Sequence, residues 1–207
     1  MTSTKIFAAA LLHAAAATLG CGGATGTGAA RVSSGDESAP TRTGTQATDF
    51  AARDIEGKTV RLSDYLGKQA ILVDFWSTFC EPCLAEMPHL RKLYESQKGK
   101  GFVILAVSMD GPETVAEVPS FAKRNGMAFP VLLDEDSHIV SIYNPKRSAP
   151  LSVLIDKQGR VVRVREGYNP GDEALIAADV ASVLDAPAVP APARAPAEPP
   201  PAASAAP

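Results

Sequence analysis

Two cysteines stand two residues apart in Cys80-Glu81-Pro82-Cys83, a few positions after the run Ile71-Leu72-Val73-Asp74-Phe75-Trp76. That run has the length and the aromatic and β-branched content of a buried strand. Pro82 carries the fixed φ of a first helical turn, where its missing N–H is not needed. The cysteines therefore fall where a buried strand gives way to a helix, which restricts the chain to folds that deliver a strand end to a helix N-terminus. The chemistry is restricted as well. Unpaired N–H groups and the positive end of the helix dipole stabilise negative sulfur, and sulfur attacks as thiolate. Cys80 is the expected nucleophile, and Cys83, in the first turn, is placed to close a reversible disulfide with it.

A lone C-x-x-C can also be half of a four-ligand zinc site. The remaining candidates are Cys21, His13, His89 and His138. Cys21 and His13 belong to the N-terminal segment, His89 sits further along the helix of Cys83, and His138 stands alone among acidic residues. None forms a second ligand pair, so no metal is expected.

Three carboxylates lie close to the cysteines in sequence. Asp74 interrupts the apolar run of a strand that should be covered on both faces, a costly place for a charge unless it is paired, protonated or hydrated. Glu86 follows Cys83 by about one helical turn and shares its face, so it is either a solvated helix residue or a group turned toward the sulfurs. Glu81 puts a negative charge beside Cys80 and should disfavour its thiolate, moving the pair toward the reducing end, unless salt screens it. Trp76 has two readings: a lid beside the disulfide, or core filler.

The stretch Ile71 to Trp76, Cys80-Glu81-Pro82-Cys83 and Pro88 resembles the strand, active site and helix of the thioredoxin superfamily. Within it, the chain is most similar to the membrane-tethered bacterial branch, the TlpA/ResA-like thiol–disulfide oxidoreductases. Asp49 to Tyr65 looks like the extra N-terminal hairpin of that branch, and Ala149-Pro150-Leu151-Ser152-Val153-Leu154-Ile155-Asp156 is similar to its cis-proline strand. The resemblance covers residues 47–185. It implies a thioredoxin-like α/β fold: a central mixed sheet flanked by helices, with the N-terminal hairpin and an inserted strand and helix.

The resemblance further implies a protein thiol–disulfide oxidoreductase that uses no cofactor beyond the Cys80–Cys83 disulfide. Pro150 would be cis and lie against the disulfide, leaving the preceding backbone free to pair with an extended substrate. Glu86 matches an acidic residue near the disulfide in the tethered reductants, and there it would exchange a proton with a departing thiolate. Asp74 matches the buried aspartate of thioredoxin, a candidate proton acceptor for Cys83, where the tethered branch more often has asparagine. Two acids near the sulfurs would titrate as a coupled set. Implied partners are protein disulfide or dithiol clients, such as apocytochrome cysteines in cytochrome c maturation, and a membrane thiol donor. Two alternatives use related folds. A thiol peroxidase carries a threonine three residues before its cysteine in a proline-led loop, whereas Thr78 is two before and no proline leads it. A copper chaperone has three residues between its cysteines and a distant histidine.

Composition bounds the rest. With 207 residues, a net charge of −3 and 45% hydrophobic content, the chain suits one domain with tails and excludes a basic nucleic-acid binder. Residues 1–20 carry Lys5, an apolar stretch from Ile6 to Leu12 and more alanines, the pattern of an export signal. Leu19-Gly20-Cys21 resembles the end of a lipobox, which would make Cys21 the site of a lipid anchor to a membrane of the bacterial envelope, with the domain facing the periplasm. Residues 21–46 read as a flexible Gly/Ser/Thr linker, 47–185 as the domain, and 186–207 as a disordered Ala/Pro tail. An open active site argues for a monomer.

The expected elements after the hairpin are a strand at 70–76, a helix at 82–97 kinked at Pro88, and a strand at 102–107 parallel to the first. A helix at 113–125, a short strand at 130–133 and a short helix at 137–143 follow. A hairpin of 151–155 with 160–165 and a last helix at 172–184 complete the domain.

Overall fold

The computed structural model describes residues 42–186, so the readings of the export signal, Cys21, most of the linker and nearly all of the tail lie outside the described residues. The strands are β1 (Ala51–Asp54), β2 (Thr59–Arg61), β3 (Ala70–Trp76), β4 (Phe102–Ser108), β5 (Val131–Leu133), β6 (Leu151–Ile155) and β7 (Val161–Glu166). The helices are α1 (Glu81–Gln97), α2 (Val118–Arg124), α3 (His138–Tyr143) and α4 (Asp172–Asp185). All seven strands form one mixed sheet in the order β2-β1-β5-β4-β3-β6-β7.

The centre of this sheet is built by the two most apolar runs. β3 and β4 pair in parallel from Ala70↔Phe102 to Trp76↔Ser108, and every residue of both strands is buried. The crossover between them is α1, and a parallel pair requires such a crossover. On the other side of β3, β6 runs antiparallel and sets Asp74 opposite Ser152. The N-terminal hairpin extends the sheet at its far edge, with β1 antiparallel to both β2 and β5.

Strand alternation sends the side chains of β3 to two layers. Ile71, Val73 and Phe75 join Leu105, Val153, Ile139 and Tyr143 on one face. Leu72 and Trp76 join Cys83, Met87, Leu90, Val118, Ile176 and Val180 on the other, under α1, α2 and α4. Asp74 lies between Leu72 and Trp76 in the alternation and so shares the three-helix face.

One expected helix starts later than its sequence suggests. The helix expected from Glu113 begins as a 3-10 turn at Val115–Glu117, and α2 proper starts only at Val118. Pro119 is the cause: inside a longer helix it would remove a backbone bond and clash with the preceding turn, whereas in the first turn neither penalty arises. The Trp76 side chain is fully buried at the end of β3, its ring tilted against that of Phe121 at 5.4 Å, in the cluster that also holds Cys83, so it fills the core next to the disulfide. The paired chain also begins before residue 47: the Gly44 N–H donates to the Val161 carbonyl, and Gln46 bridges Arg160. The helix expected to kink at Pro88 continues through that residue to Gln97.

Candidate active site

At the C-terminal end of β3 the chain leaves the sheet through Ser77-Thr78-Phe79 and enters α1 with Cys80 as its N-cap. Cys80 and Cys83 are joined in a disulfide, with Cα atoms 5.3 Å apart. The Cys83 N–H, one of the donors that a helix start leaves unpaired, points to Cys80 Sγ at 3.3 Å. Pro82 occupies the first turn, as its geometry favours, and both Pro82 and Glu81 are exposed.

The two sulfurs differ in access. Cys83 is 1% exposed and packs under Trp76 and Met87, whereas Cys80 is half-buried and opens onto a cleft of about 760 Å³. Phe79, Glu81, Met109, Arg147 and Ala149 line that cleft with it. An incoming disulfide therefore reaches Cys80 and not Cys83. The Ala149–Pro150 bond is cis, and Ala149 brings the backbone before Pro150 to the cleft wall.

Behind the disulfide the same face holds the two acids singled out from sequence. Asp74 is 1% and Glu86 2% exposed. Burial pushes the Asp74 carboxyl up to about 7. Burial, then the Asp74 charge, then that of Asp172, push Glu86 up to about 9. Asp74 Oδ1 has no hydrogen-bond partner among the described residues, as suits a carboxyl that holds or takes up a proton rather than one neutralised by a cation. Glu86 is thus a buried group of α1 rather than a solvated helix residue.

Sequence reading missed Asp110. This carboxylate, 4% exposed just beyond β4, accepts the Thr78 N–H at 3.1 Å and the Ser108 hydroxyl at 2.8 Å, and the Thr78 hydroxyl also donates to it. It ties the loop that presents Cys80 to the end of the neighbouring strand. The signal was the Ser-Met-Asp that ends an apolar run, but nothing in the sequence pairs it with Thr78. Sequence reading also missed Phe79, which is 70% exposed and lines the cleft with Cys80, whereas the Trp76 ring is buried in the cluster of Cys83. His138 is exposed, and among the described residues no cluster of histidine, cysteine and carboxylate suits a metal ion.

A cysteine pair at a helix N-terminus, one sulfur open and one buried, on a mixed sheet with a cis-proline loop beside it, defines a thioredoxin-fold thiol–disulfide oxidoreductase. Comparison with known proteins gives the same class. Residues 43–164 match the AhpC/TSA family, and the chain belongs to that family. It is 40% identical over 124 residues to "Thiol-disulfide oxidoreductase ResA" of Geobacillus kaustophilus, covering 60% of this chain and 69% of the relative. The ResA protein of Halalkalibacterium halodurans is 37% identical over 126 residues, 61% of this chain and 69% of its own length. Among solved structures, a Chlorobium tepidum protein assigned as the thiol:disulfide interchange protein DsbE superposes with a TM-score of 0.64 at 29% identity. It covers 70% of this chain and 99% of that one. A thiol:disulfide interchange protein from Bacteroides sp. gives 0.58 at 26%, over 71% and 93%.

Proposed function

We propose that this oxidoreductase is an exported reductant of protein disulfides, tethered to a membrane of the bacterial envelope by a lipid on Cys21 and facing the periplasm. Its clients would be proteins such as apocytochromes in cytochrome c maturation or a similar envelope assembly. A membrane thiol donor would return it to the dithiol form, and it would act as a monomer with no cofactor beyond its own cysteines. The leader-like residues 1–20 and Cys21 support export and anchoring. The kinship with proteins named thiol-disulfide oxidoreductase ResA supports the thiol–disulfide chemistry, and the Glu81 charge beside Cys80 supports its reductive direction.

One observation carries the mechanism: Cys80 faces the cleft while Cys83 is buried behind it. In the dithiol form, Cys80 thiolate, favoured by the start of α1, attacks one sulfur of the client disulfide. A mixed disulfide forms and the other client sulfur leaves as thiolate. Cys83 then loses its proton to the Asp74/Glu86 pair and attacks Cys80 Sγ. The client's second sulfur departs and is protonated. Two electrons have passed to the client, and Cys80–Cys83 is the disulfide present in the structure. Ala149 offers its backbone to an extended client strand. The peroxidase reading gains nothing here, because the Thr78 hydroxyl is bound to Asp110.

The test is a redox titration in thiol buffers with thiols trapped and counted by mass. A midpoint at or below about −250 mV is expected, whereas one near about −120 mV would make the protein an oxidant. Cys83→Ser should accumulate the mixed disulfide with a client. If no Cys80–Cys83 disulfide forms at any poise, the redox reading fails.

A further inference from the structure

The cleft beside Cys80 is lined by charges of both signs. Glu81, exposed at the start of α1, is one of them. Arg147, exposed in the loop between α3 and β6 with Ala149, is the other. Loop charges at a rim are common and usually carry little. What sets Arg147 apart is how the fold holds it.

Among the described residues, the non-glycine residues with positive φ are Ser137 (56°) and Arg147 (55°). A side chain with a Cβ is disfavoured in this left-handed region, so such a residue persists where its surroundings impose the conformation. These two are joined to each other: Arg147 Nη1–H donates to Ser137 Oγ at 3.2 Å. The loop is fixed from beneath by Asn144, which is 1% exposed. Its side-chain amide donates to the Ser148 carbonyl at 2.7 Å and accepts the Ser148 N–H at 2.9 Å. The same amide points to the sulfur of Met109, which forms part of the cleft wall, at 3.4 Å. The Arg147 N–H in turn donates to the Asn144 carbonyl at 2.8 Å. A buried asparagine thus holds the backbone of Arg147 and Ser148 in place, and Arg147, with its positive φ, is among the residues that line the cleft. Lys146, next to it and exposed, has the same sign, while Glu166 is engaged by the Ser148 hydroxyl at 2.6 Å.

We infer that Arg147 is a specificity-determining residue that selects clients carrying a carboxylate on one side of the disulfide to be reduced. This rests on the oxidoreductase reading and narrows its substrate class. An extended client segment laid along Ala149 into the cleft of Cys80 meets both Arg147 and Glu81. A carboxylate beside Arg147 gains an ion pair with a donor fork suited to it, whereas a cation there is repelled. Segments acidic on both sides gain less, because Glu81 opposes the second charge. Phe79, exposed at the same cleft, supplies apolar contact for the client residue over the sulfurs.

The test uses the full chain with Cys21→Ser, fully reduced, so that only the active pair reacts. Three short peptides each carry one cysteine as a thiopyridyl disulfide, and release of thiopyridone reports attack by Cys80. One peptide is neutral, one has an aspartate two residues from the cysteine, and one has a lysine there, each made with the charge before or after the cysteine. The aspartate peptide in one of the two orders should react roughly 3- to 5-fold faster than the neutral one and the lysine peptide correspondingly slower, the size of an exposed ion pair. Added salt should shrink the spread. Arg147→Glu should invert the ranking and Arg147→Gln should flatten it. Equal rates for all peptides with the parent, or a ranking unchanged by Arg147→Glu, would overturn the inference while leaving the oxidoreductase reading intact. No reaction with any peptide would sink that reading and the inference with it.

Discussion

The two faces of the central sheet share the same strands and yet carry different kinds of interior. On the face under α3 the buried side chains of β3 are Ile71, Val73 and Phe75, in an apolar cluster with the Tyr143 ring, whose hydroxyl donates to the Thr48 carbonyl, while the buried polar Asp134 and Asn144 hold the two ends of α3. On the face under α1, α2 and α4, the same strand contributes Leu72, Asp74 and Trp76, and α1 adds Glu86 and Cys83. On the first face β3 contributes apolar side chains alone. On the other it and α1 contribute two buried carboxyls and an indole N–H that has no partner among the described residues. A fold that needs a proton acceptor behind a buried sulfur has to place it in the layer that the helix of the cysteines covers, and the opposite layer then supplies the compensating apolar burial.

The largest effect that would sharpen this contrast is a truncation on the apolar face. Phe75→Ala should destabilise the protein by about 3 to 5 kcal/mol, through lost burial and the cavity left behind. Urea melts of the oxidised protein would measure it. A cost as small as that of an exposed substitution would break the assignment of that face to stability.

Next comes Asp74, the residue that makes the two faces unlike. Its carboxyl is raised from 3.8 to about 7 and that of Glu86 from 4.5 to about 9, so the folded protein holds these protons more tightly than the unfolded chain. Stability from this source is therefore full below the unfolded values and is lost as pH rises through about 7 and then about 9. Asp74→Asn removes the first of these losses. It should stabilise the protein by about 2 kcal/mol at alkaline pH and give no gain at acid pH, while slowing resolution of the mixed disulfide. Chemical denaturation at the two pH extremes checks the sign; a gain that does not depend on pH would separate Asp74 from the coupled pair.

The smallest effect belongs to Glu81, which is outside both layers. Glu81→Gln should raise the midpoint potential by about 10 mV, since an exposed charge acts on Cys80 through water. A downward shift would contradict the reading that this charge disfavours the thiolate.

Much of this was legible in the sequence, and the reasons are local. The apolar runs at 70–76 and 102–107 could only be buried strands, and Pro82 with the paired cysteines fixed the helix start. Asp74 stood out by interrupting an apolar run, whereas Glu86 shared a helical face with Cys83 but, without the family resemblance, read equally as a solvated glutamate. The misreadings came from elements whose state depends on neighbours. Trp76 reads the same in the sequence whether its ring is exposed or buried next to the disulfide, and only its packing against Phe121 in the cluster of Cys83 decides. The delayed start of α2 could have been read from Pro119.

The sequence by itself determined the chemistry, because the reactive pair, its helix start and its acids lie within the single stretch from Asp74 to Glu86, where spacing alone sets which groups share a face. Only the tertiary structure decided what surrounds that chemistry. Asp110 holds the loop of Thr78 from the end of another strand, and Arg147 reaches the cleft from a loop fixed by Asn144. These contacts join residues far apart in the chain. They exist only once β3, β4 and β6 are side by side, and no local periodicity encodes them.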